Sequence, residues 1–441
     1  VSALEAGPGI RPHALVVVRR GAVVLETAWA PYAVDRPQLL YSLSKSFTST
    51  AVGLARAEGL VDLDATVLSY FPELDADVTD ARSRAMRVRD IAAMASGHAA
   101  ETIDRAATLD PADLVRGFLR IPPDADPGTL FAYNQPCTYT LAAIVQRAAG
   151  ESLVDYLRPR LFEPLGISDV AWIEQPAGRN VGFSGLHADV RAVARLGELY
   201  RRGGLWGEQR ILDAEWVAEA TRRHVATPPG NPDWAQGYGF QFWMGQHGYR
   251  GDGAFGQYCV VLPEHELVVA LTSETPEMQS VLDALWEHVL PALERPGTPV
   301  DDAALAEQVE ALTLPHPATG PLPGGAPELL PVDSRGPRRA ALDAVQVTPQ
   351  ADGAWVLELV DAHGSLPVRV VPGTWTANEP TGIPIVASGG TTDAGDVVAD
   401  LLFVDTPHTL RVRRRPGSPT IEAAWLTEPL HGSSPRAQCR P

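Results

Sequence analysis

Short apolar runs open and close the first two-thirds of the chain, and apolar positions at helical spacing fill the stretch between them. Residues 14–18 and 22–29, joined by Arg19-Arg20-Gly21, predict a β-hairpin with a glycine turn. Residues 42–58 read as a helix that Gly59 caps at its C-terminal end. A short connection through 60–64 and 67–71 runs into Pro72, and 88–95 carries a helical pattern ended by Ser96-Gly97. Residues 99–130 are helix and loop, broken at Ile121-Pro122-Pro123 and Pro127-Gly128. Helices follow over 141–149, from 153 to a break at Pro159, and over 188–201, stopped by Gly203-Gly204. The pattern then reverts to strands at 237–244, 256–262 and 267–272, before a closing helix over 281–293. Strands drawn from both ends of the region predict one antiparallel sheet with helices around it, an α/β arrangement of the α+β kind.

Residues 296–327 are rich in Pro and Gly around one predicted helix, 302–312, and read as a linker. Beyond it, 342–347, 355–359, 368–371, 397–404, 409–413 and 421–425 predict strands separated by turn residues. The expected division is therefore a first domain over 1–298, a linker with a short helix over 299–326, and an all-β domain over 327–441. No repeat of fixed period runs through the chain.

Charge and composition exclude several function classes. The 441 residues carry a formal net charge of −18, which argues against nucleic acid or an anionic membrane surface as partner. No apolar run approaches the length of a membrane span. The first residues lack a signal-peptide pattern, so the expected location is the cytoplasm; because residue 1 is Val, secretion after removal of a leader stays open. Three scattered cysteines, Cys137, Cys259 and Cys439, suit neither a disulfide framework nor a zinc site, and no His-Glu-x-x-His spacing occurs. No metal and no cofactor is expected. Oligomeric state is left open.

One residue changes the picture. Lys45 is the only lysine in the chain, and every other strong cation is arginine. It lies three residues after Ser42, so on a helix the two share a face. A serine hydroxyl becomes a nucleophile when a neighbouring base takes its proton. A lysine serves as that base when desolvation or a helix N-terminus strips its charge, and an arginine cannot replace it. Ser42 at the helix start would also sit where backbone N–H groups stabilise an oxyanion. The plain alternative is an N-cap serine followed by a solvated cation. Two further stretches offer the remaining chemistry. Tyr133, in Phe131-Ala132-Tyr133-Asn134-Gln135, would protonate a leaving group if a nearby cation lowered its pKa; otherwise it is a half-buried loop tyrosine. Gly251-Asp252-Gly253-Ala254-Phe255-Gly256 leads into a strand pattern, where glycines mark either close approach of a ligand or backbone, or a bulge.

These stretches, in this order, resemble the serine β-lactamase and penicillin-binding-protein superfamily, in the branch of class C β-lactamases, family VIII esterases and D-aminopeptidases. Ser42-Leu43-Ser44-Lys45 matches the first motif, S-x-x-K, and Tyr133-Asn134-Gln135 partly matches the second, Y-x-N. Phe255-Gly256-Gln257-Tyr258, with the apolar pairs that follow, matches the strands beside the third. The resemblance covers residues 1–295 and implies a β-lactamase/transpeptidase-like fold: an antiparallel sheet flanked by helices, a helical subdomain and here a C-terminal all-β domain. It implies Ser42 as nucleophile, Lys45 as its base, Tyr133 as proton shuttle, and the N–H groups of Ser42 and Ala254 as the oxyanion hole. Two departures stand out. Gln135 replaces the usual Asn, which changes the reach of that amide. The third motif reads Gly251-Asp252-Gly253, without the cation that holds a substrate carboxylate in β-lactamases and transpeptidases; Asp252 would repel one, and only Arg250 or His247 lies near enough in sequence to compensate.

The expected substrate is a small neutral or cationic ester, amide or peptide, cleaved through an acyl-enzyme, with Gln135, Gly251, Asp252, Gly253 and Ala254 around it. An acyltransferase using the same acyl-enzyme and a non-catalytic acyl or peptide sensor are the alternatives. Thr406-Pro407-His408 and 425–430 resemble β-domains appended to some members of the family. Such a domain is expected to cap the first one, or else to fold back over the cleft.

Overall fold

Arg20 and Gly21 both adopt positive φ, 52° and 82°, which closes a two-residue turn between strands β1 (Arg11–Arg19) and β2 (Ala22–Ala28). The structure is a computed structural model that describes residues 1–333 and 335–441. The hairpin forms one side of a six-stranded sheet completed by β3 (Trp243–Met244), β4 (Tyr249–Gly253), β5 (Gln257–Leu262) and β6 (Leu267–Glu274), in the order β2-β1-β6-β5-β4-β3. Each pairing within it is antiparallel. The sheet thus joins strands from both ends of the first region, as the pattern predicts.

Both faces of this sheet are covered, so its central strands are apolar at both parities. Val16, Val18, Cys259, Val261, Val268 and Ala270 face a core shared with helices α1 (Ser44–Ala57), α2 (Gln135–Ala149) and α3 (Val190–Arg201). Leu15, Val17, Val260, Leu262 and Val269 face the other way, against α4 (Met278–Ala284) and against Leu402 and Val404 of the C-terminal part. Short helices between 81 and 119 make up the helical subdomain beside α2.

The structure departs from the expected elements in places that matter for the site. Of the strand predicted over 237–244, only Trp243–Met244 joins the sheet, while Tyr238 makes isolated bridges to Val225 and Trp243; Gln241 takes φ 63°, and Phe240 and Gln241 form a buried turn against α1. Conversely, the glycine run 251–253 belongs to β4, whose five residues are all buried. Helix α2 starts at Gln135, six residues before the predicted 141, because Pro136 suits a first turn that needs no N–H.

The C-terminal part is all-β. A four-stranded sheet (Glu328–Pro331, Ala344–Pro349, Trp355–Asp361, Gly364–Val370) and a five-stranded one (Thr376–Asn378, Ile385–Thr391, Val397–Phe403, Thr409–Arg414, Glu422–Trp425) close on one core running from Leu322 to Trp425. The strand Ile385–Thr391 is absent from the sequence reading, since Ser388-Gly389-Gly390 interrupts the apolar pattern there. Those glycines are needed for packing: a Cβ on Gly389 would lie 2.6 Å from the Val398 carbonyl oxygen, and one on Gly390 2.8 Å from that of Ala318.

Phe47, on α1, is fully buried and packs against Phe162 at 6.2 Å between ring centroids. Phe47→Ala should destabilise the fold by about 3–5 kcal/mol, read as a lower urea midpoint at unchanged m-value.

Candidate active site

Ser42 lies in a 3-10 turn, Tyr41–Leu43, that runs directly into α1. The α-helix proper therefore begins two residues later than expected, yet Ser42 and Lys45 still share a face. Ser42 is half-buried, whereas α1 is buried from Ser44 to Ala55 despite its many hydroxyls. Each hydroxyl has a partner. Ser46, Thr48 and Ser49 donate to the carbonyls of Gln241, Gly182 and Phe240 at 3.1, 2.8 and 2.7 Å, and Ser44 accepts from the Leu186 N–H at 3.1 Å. A polar helix can occupy the centre of the molecule because these bonds replace water.

Lys45 is 1% exposed, and its Nζ touches three oxygens: Ser42 Oγ at 3.0 Å, Gln135 Oε1 at 2.6 Å and the Phe183 carbonyl at 2.7 Å. Burial pushes the amine down from 10.5 to about 7, against the opposing pull of the Glu101 and Asp252 carboxylates. The neutral amine has two N–H bonds and one lone pair. The two carbonyl oxygens can only accept, so they take both hydrogens and leave the lone pair facing the Ser42 hydroxyl. Gln135 thus reaches Lys45 in spite of its extra methylene. Its own N–H donates to the exposed Glu101 carboxylate at 3.0 Å, while Asn134 turns inward to accept from Thr102.

Tyr133 stacks on Trp243 at 5.4 Å, and Lys45 Nζ stands 4.8 Å from its ring centre. Burial and the Asp252 charge raise its pKa and outweigh a hydrogen bond to Ser42 and the more distant Arg250 charge, so Tyr133 is a neutral phenol at physiological pH. The condition that the sequence sets for proton donation, a pKa lowered by a nearby cation, is therefore not met.

Strand β4 sets the opposite wall. A Cβ on Gly251 would strike Ser46 and Leu43, and one on Gly253 would strike the Leu40 carbonyl, so both glycines allow β4 to lie against the turn that carries Ser42. Asp252 is buried and pairs with the equally buried Arg250 at 3.0 Å. Arg250 also donates to the Asp233 carbonyl at 2.9 Å and lies over Trp234 at 4.4 Å. It therefore neutralises Asp252, and at 2% exposure it is closed off from solvent although its Nη2 has no partner among the described residues. His247 is exposed against Trp286 and does not compensate either. Ala254 follows at the half-buried end of β4. Among the described residues, no protein acceptor takes the N–H of Ser42 or of Ala254.

Two histidines that sequence reasoning did not place at the site come from the C-terminal part. His431 Nε2 lies 2.8 Å from Ser184 Oγ, beside the Phe183 carbonyl that holds Lys45, and its ring stacks on Tyr41 at 5.4 Å. His408 Nε2 lies 2.5 Å from the Tyr41 hydroxyl. Thr406-Pro407-His408 stood out in the sequence, but nothing local connects it to a residue 367 positions earlier. A cavity of about 700 Å³ elsewhere in the groove between the two parts is lined by Arg36, Asp169, Asp405 and Arg440 and includes none of these site residues.

The sequence profile described as Beta-lactamase matches residues 2–326. The chain belongs to the β-lactamase family. This family member is a serine hydrolase, and its relatives include amide hydrolases and esterases. The 6-aminohexanoate-dimer hydrolase of Paenarthrobacter ureafaciens is 28% identical over 287 residues, covering 60% of this chain and 73% of its own. Two solved structures share the fold. EstCE1, a hydrolase with promiscuous acyltransferase activity, superposes at TM-score 0.51 with 18% identity over 65% of this chain and 96% of its own. The octameric penicillin-binding protein homologue from Pyrococcus abyssi gives TM-score 0.51 with 15% identity over 93% and 95%. No helix among the described residues is long and apolar enough to cross a membrane.

An amine held at about 7 predicts a pH profile. Where the neutral Lys45 amine is the form that acts, kcat/KM on a neutral ester should fall about tenfold per pH unit below pH 7 and level off above it. Stopped assays over pH 5–9, with folding followed by circular dichroism, check this.

Proposed function

We propose that this family member cleaves neutral or cationic esters and small amides through an acyl-enzyme on Ser42, with Lys45 as the base. The observation that carries the reading is the Lys45 amine, buried and held so that its lone pair faces the Ser42 hydroxyl. In the first step Lys45 takes the hydroxyl proton as Oγ attacks the substrate carbonyl, and charge develops on the carbonyl oxygen. The N–H groups of Ser42 and Ala254 donate hydrogen bonds to that oxygen. Collapse of the tetrahedral intermediate expels the leaving group, which takes a proton from Tyr133, and Tyr133 recovers one from Lys45. Water then attacks the acyl-enzyme by the same route in reverse.

The absence of an unpaired cation in β4 supports the substrate class. With Arg250 committed to Asp252, a substrate carboxylate beside Gly251-Asp252-Gly253 finds no partner. The 6-aminohexanoate-dimer hydrolase among the relatives supports small amides beside esters.

Intact-mass labelling with a fluorophosphonate should mark the parent protein once, at Ser42, and fail in Ser42→Ala. Lys45→Ala and Lys45→Arg should each lower kcat/KM on p-nitrophenyl butyrate by about 10²–10⁴-fold, since an arginine keeps its proton. Unlabelled, inactive but folded parent protein would sink the proposal. The same preparation should hydrolyse p-nitrophenyl esters far faster than the carboxylate-bearing β-lactam nitrocefin; the reverse order would overturn the substrate class.

A further inference from the structure

The seam between the two parts of the molecule is polar where it approaches the nucleophile. Glu274, the last residue of β6, is 1% exposed and receives the Thr409 N–H at 3.1 Å, the Thr409 hydroxyl at 2.7 Å and the Thr427 hydroxyl at 2.8 Å. Arg11 lies 3.7 Å from the same carboxylate. Thr427 in turn meets His408 Nδ1 through its carbonyl at 3.0 Å and its hydroxyl at 2.9 Å. Since the Thr427 hydroxyl gives its hydrogen to Glu274 and its carbonyl can only accept, His408 must carry its proton on Nδ1. Nε2 is then the acceptor, and the Tyr41 hydroxyl donates to it at 2.5 Å. The Tyr41 oxygen also accepts from the Leu430 N–H at 3.3 Å. From Thr409 and Thr427 through His408 to Tyr41 each donor has an acceptor, and the line ends on the residue before Ser42.

Tyr41 is 1% exposed and has φ 48°, a left-handed conformation that a tyrosine adopts only when its surroundings hold it there. Across the cleft, Phe255 has φ 66°. The Tyr41 and Phe255 rings meet edge to face at 5.3 Å, and both contact His408, at 5.7 and 5.0 Å. Tyr41 is bonded to Ser42 and Phe255 to Ala254. The two N–H groups read above as the oxyanion hole are therefore tied together through these two rings and the histidine between them.

We infer that the C-terminal β domain takes part in forming the oxyanion hole, with His408 as a positioning residue that acts through Tyr41 and Phe255 on the N–H groups of Ser42 and Ala254. The inference rests on the proposed role of those two N–H groups. It gives the β domain a task in the chemical step, which neither capping the first domain nor narrowing its cleft would require. Because His408 touches no substrate atom, its loss should leave ground-state binding alone and weaken transition-state stabilisation.

The test uses the full chain and the variants His408→Phe, Tyr41→Phe and His408→Gln, with Arg440→Ala as a control. Arg440 joins the C-terminal part to Asp169 at 2.9 Å, away from the site. His408→Phe and Tyr41→Phe should each lower kcat on p-nitrophenyl butyrate by about 10–100-fold, less than the roughly 10²–10³-fold that outright loss of an oxyanion donor costs. KM should change little. Affinity for phenylboronic acid, whose tetrahedral Ser42 adduct places an oxygen in the hole, should fall by the same factor as kcat. The double variant should be no worse than either single one, and His408→Gln, which can accept from Tyr41 and donate to Thr427, should recover most of the loss. Unchanged kcat and boronate affinity in Tyr41→Phe would overturn the inference even if His408→Phe failed to fold. Equal losses in Arg440→Ala would overturn it too, by reducing the effect to docking in general. Fluorophosphonate labelling of the parent at Ser42 is scored separately, so failure of the hydrolase reading is distinguishable from failure of this one.

Discussion

Taking the Lys45 amine out of water constrains everything around it. Lowering its pKa from 10.5 to about 7 corresponds to on the order of 5 kcal/mol between the charged and neutral forms. A neutral amine in that position still needs partners for its two N–H bonds, and acceptors without hydrogens of their own are the only ones that leave the lone pair for Ser42. The first side chain of α2 and the carbonyl of Phe183 supply them from elements 90 and 138 positions away in the chain. The helix that carries Lys45 must therefore run through the middle of the molecule, and its serines and threonines are tolerated there because backbone carbonyls meet them.

The same demand for close approach shapes β4. Its two glycines leave room for the Leu40–Leu43 turn, and its charged residue is neutralised within the strand by Arg250 two positions earlier. A buried carboxylate near Lys45 would otherwise favour the protonated amine. Pairing it with Arg250 limits that influence, and burial remains the largest effect on Lys45. The site thus keeps a negative group in its wall while the Lys45 amine stays lowered to about 7.

The family profile ends at residue 326, so His408, Thr427 and His431 lie beyond it. His408 and His431 nevertheless contact the residues next to Ser42 and to the Lys45 acceptor Phe183. The seam that brings them there combines an apolar cluster around Leu402 and Val404 with the buried Glu274 network. Apolar burial favours docking in any similar orientation, whereas a buried polar network whose hydrogen bonds depend on direction favours one register. That difference explains how a separate β-sheet core can bear on atoms at the start of α1.

Much of this was legible in the residues themselves. The antiparallel sheet with strands from both ends follows from the apolar runs, and the single lysine in an arginine-rich chain, three residues after Ser42, marks a position where a guanidinium cannot serve. The order of Tyr133 and the glycine run after it indicated the family, because motif order is carried by sequence alone. The chain by itself left undecided what Gln135 reaches, whether Asp252 is free or paired, and which way the Tyr133 pKa moves. Those are distances between elements far apart in sequence, and electrostatics depends on distance and burial. The strand at 385–391 escaped because its glycines serve packing against a neighbouring strand, a contact with no local trace. His408 escaped for the same reason: a histidine's role is set by what its two nitrogens face, and only the folded chain brings Thr427 to one and Tyr41 to the other.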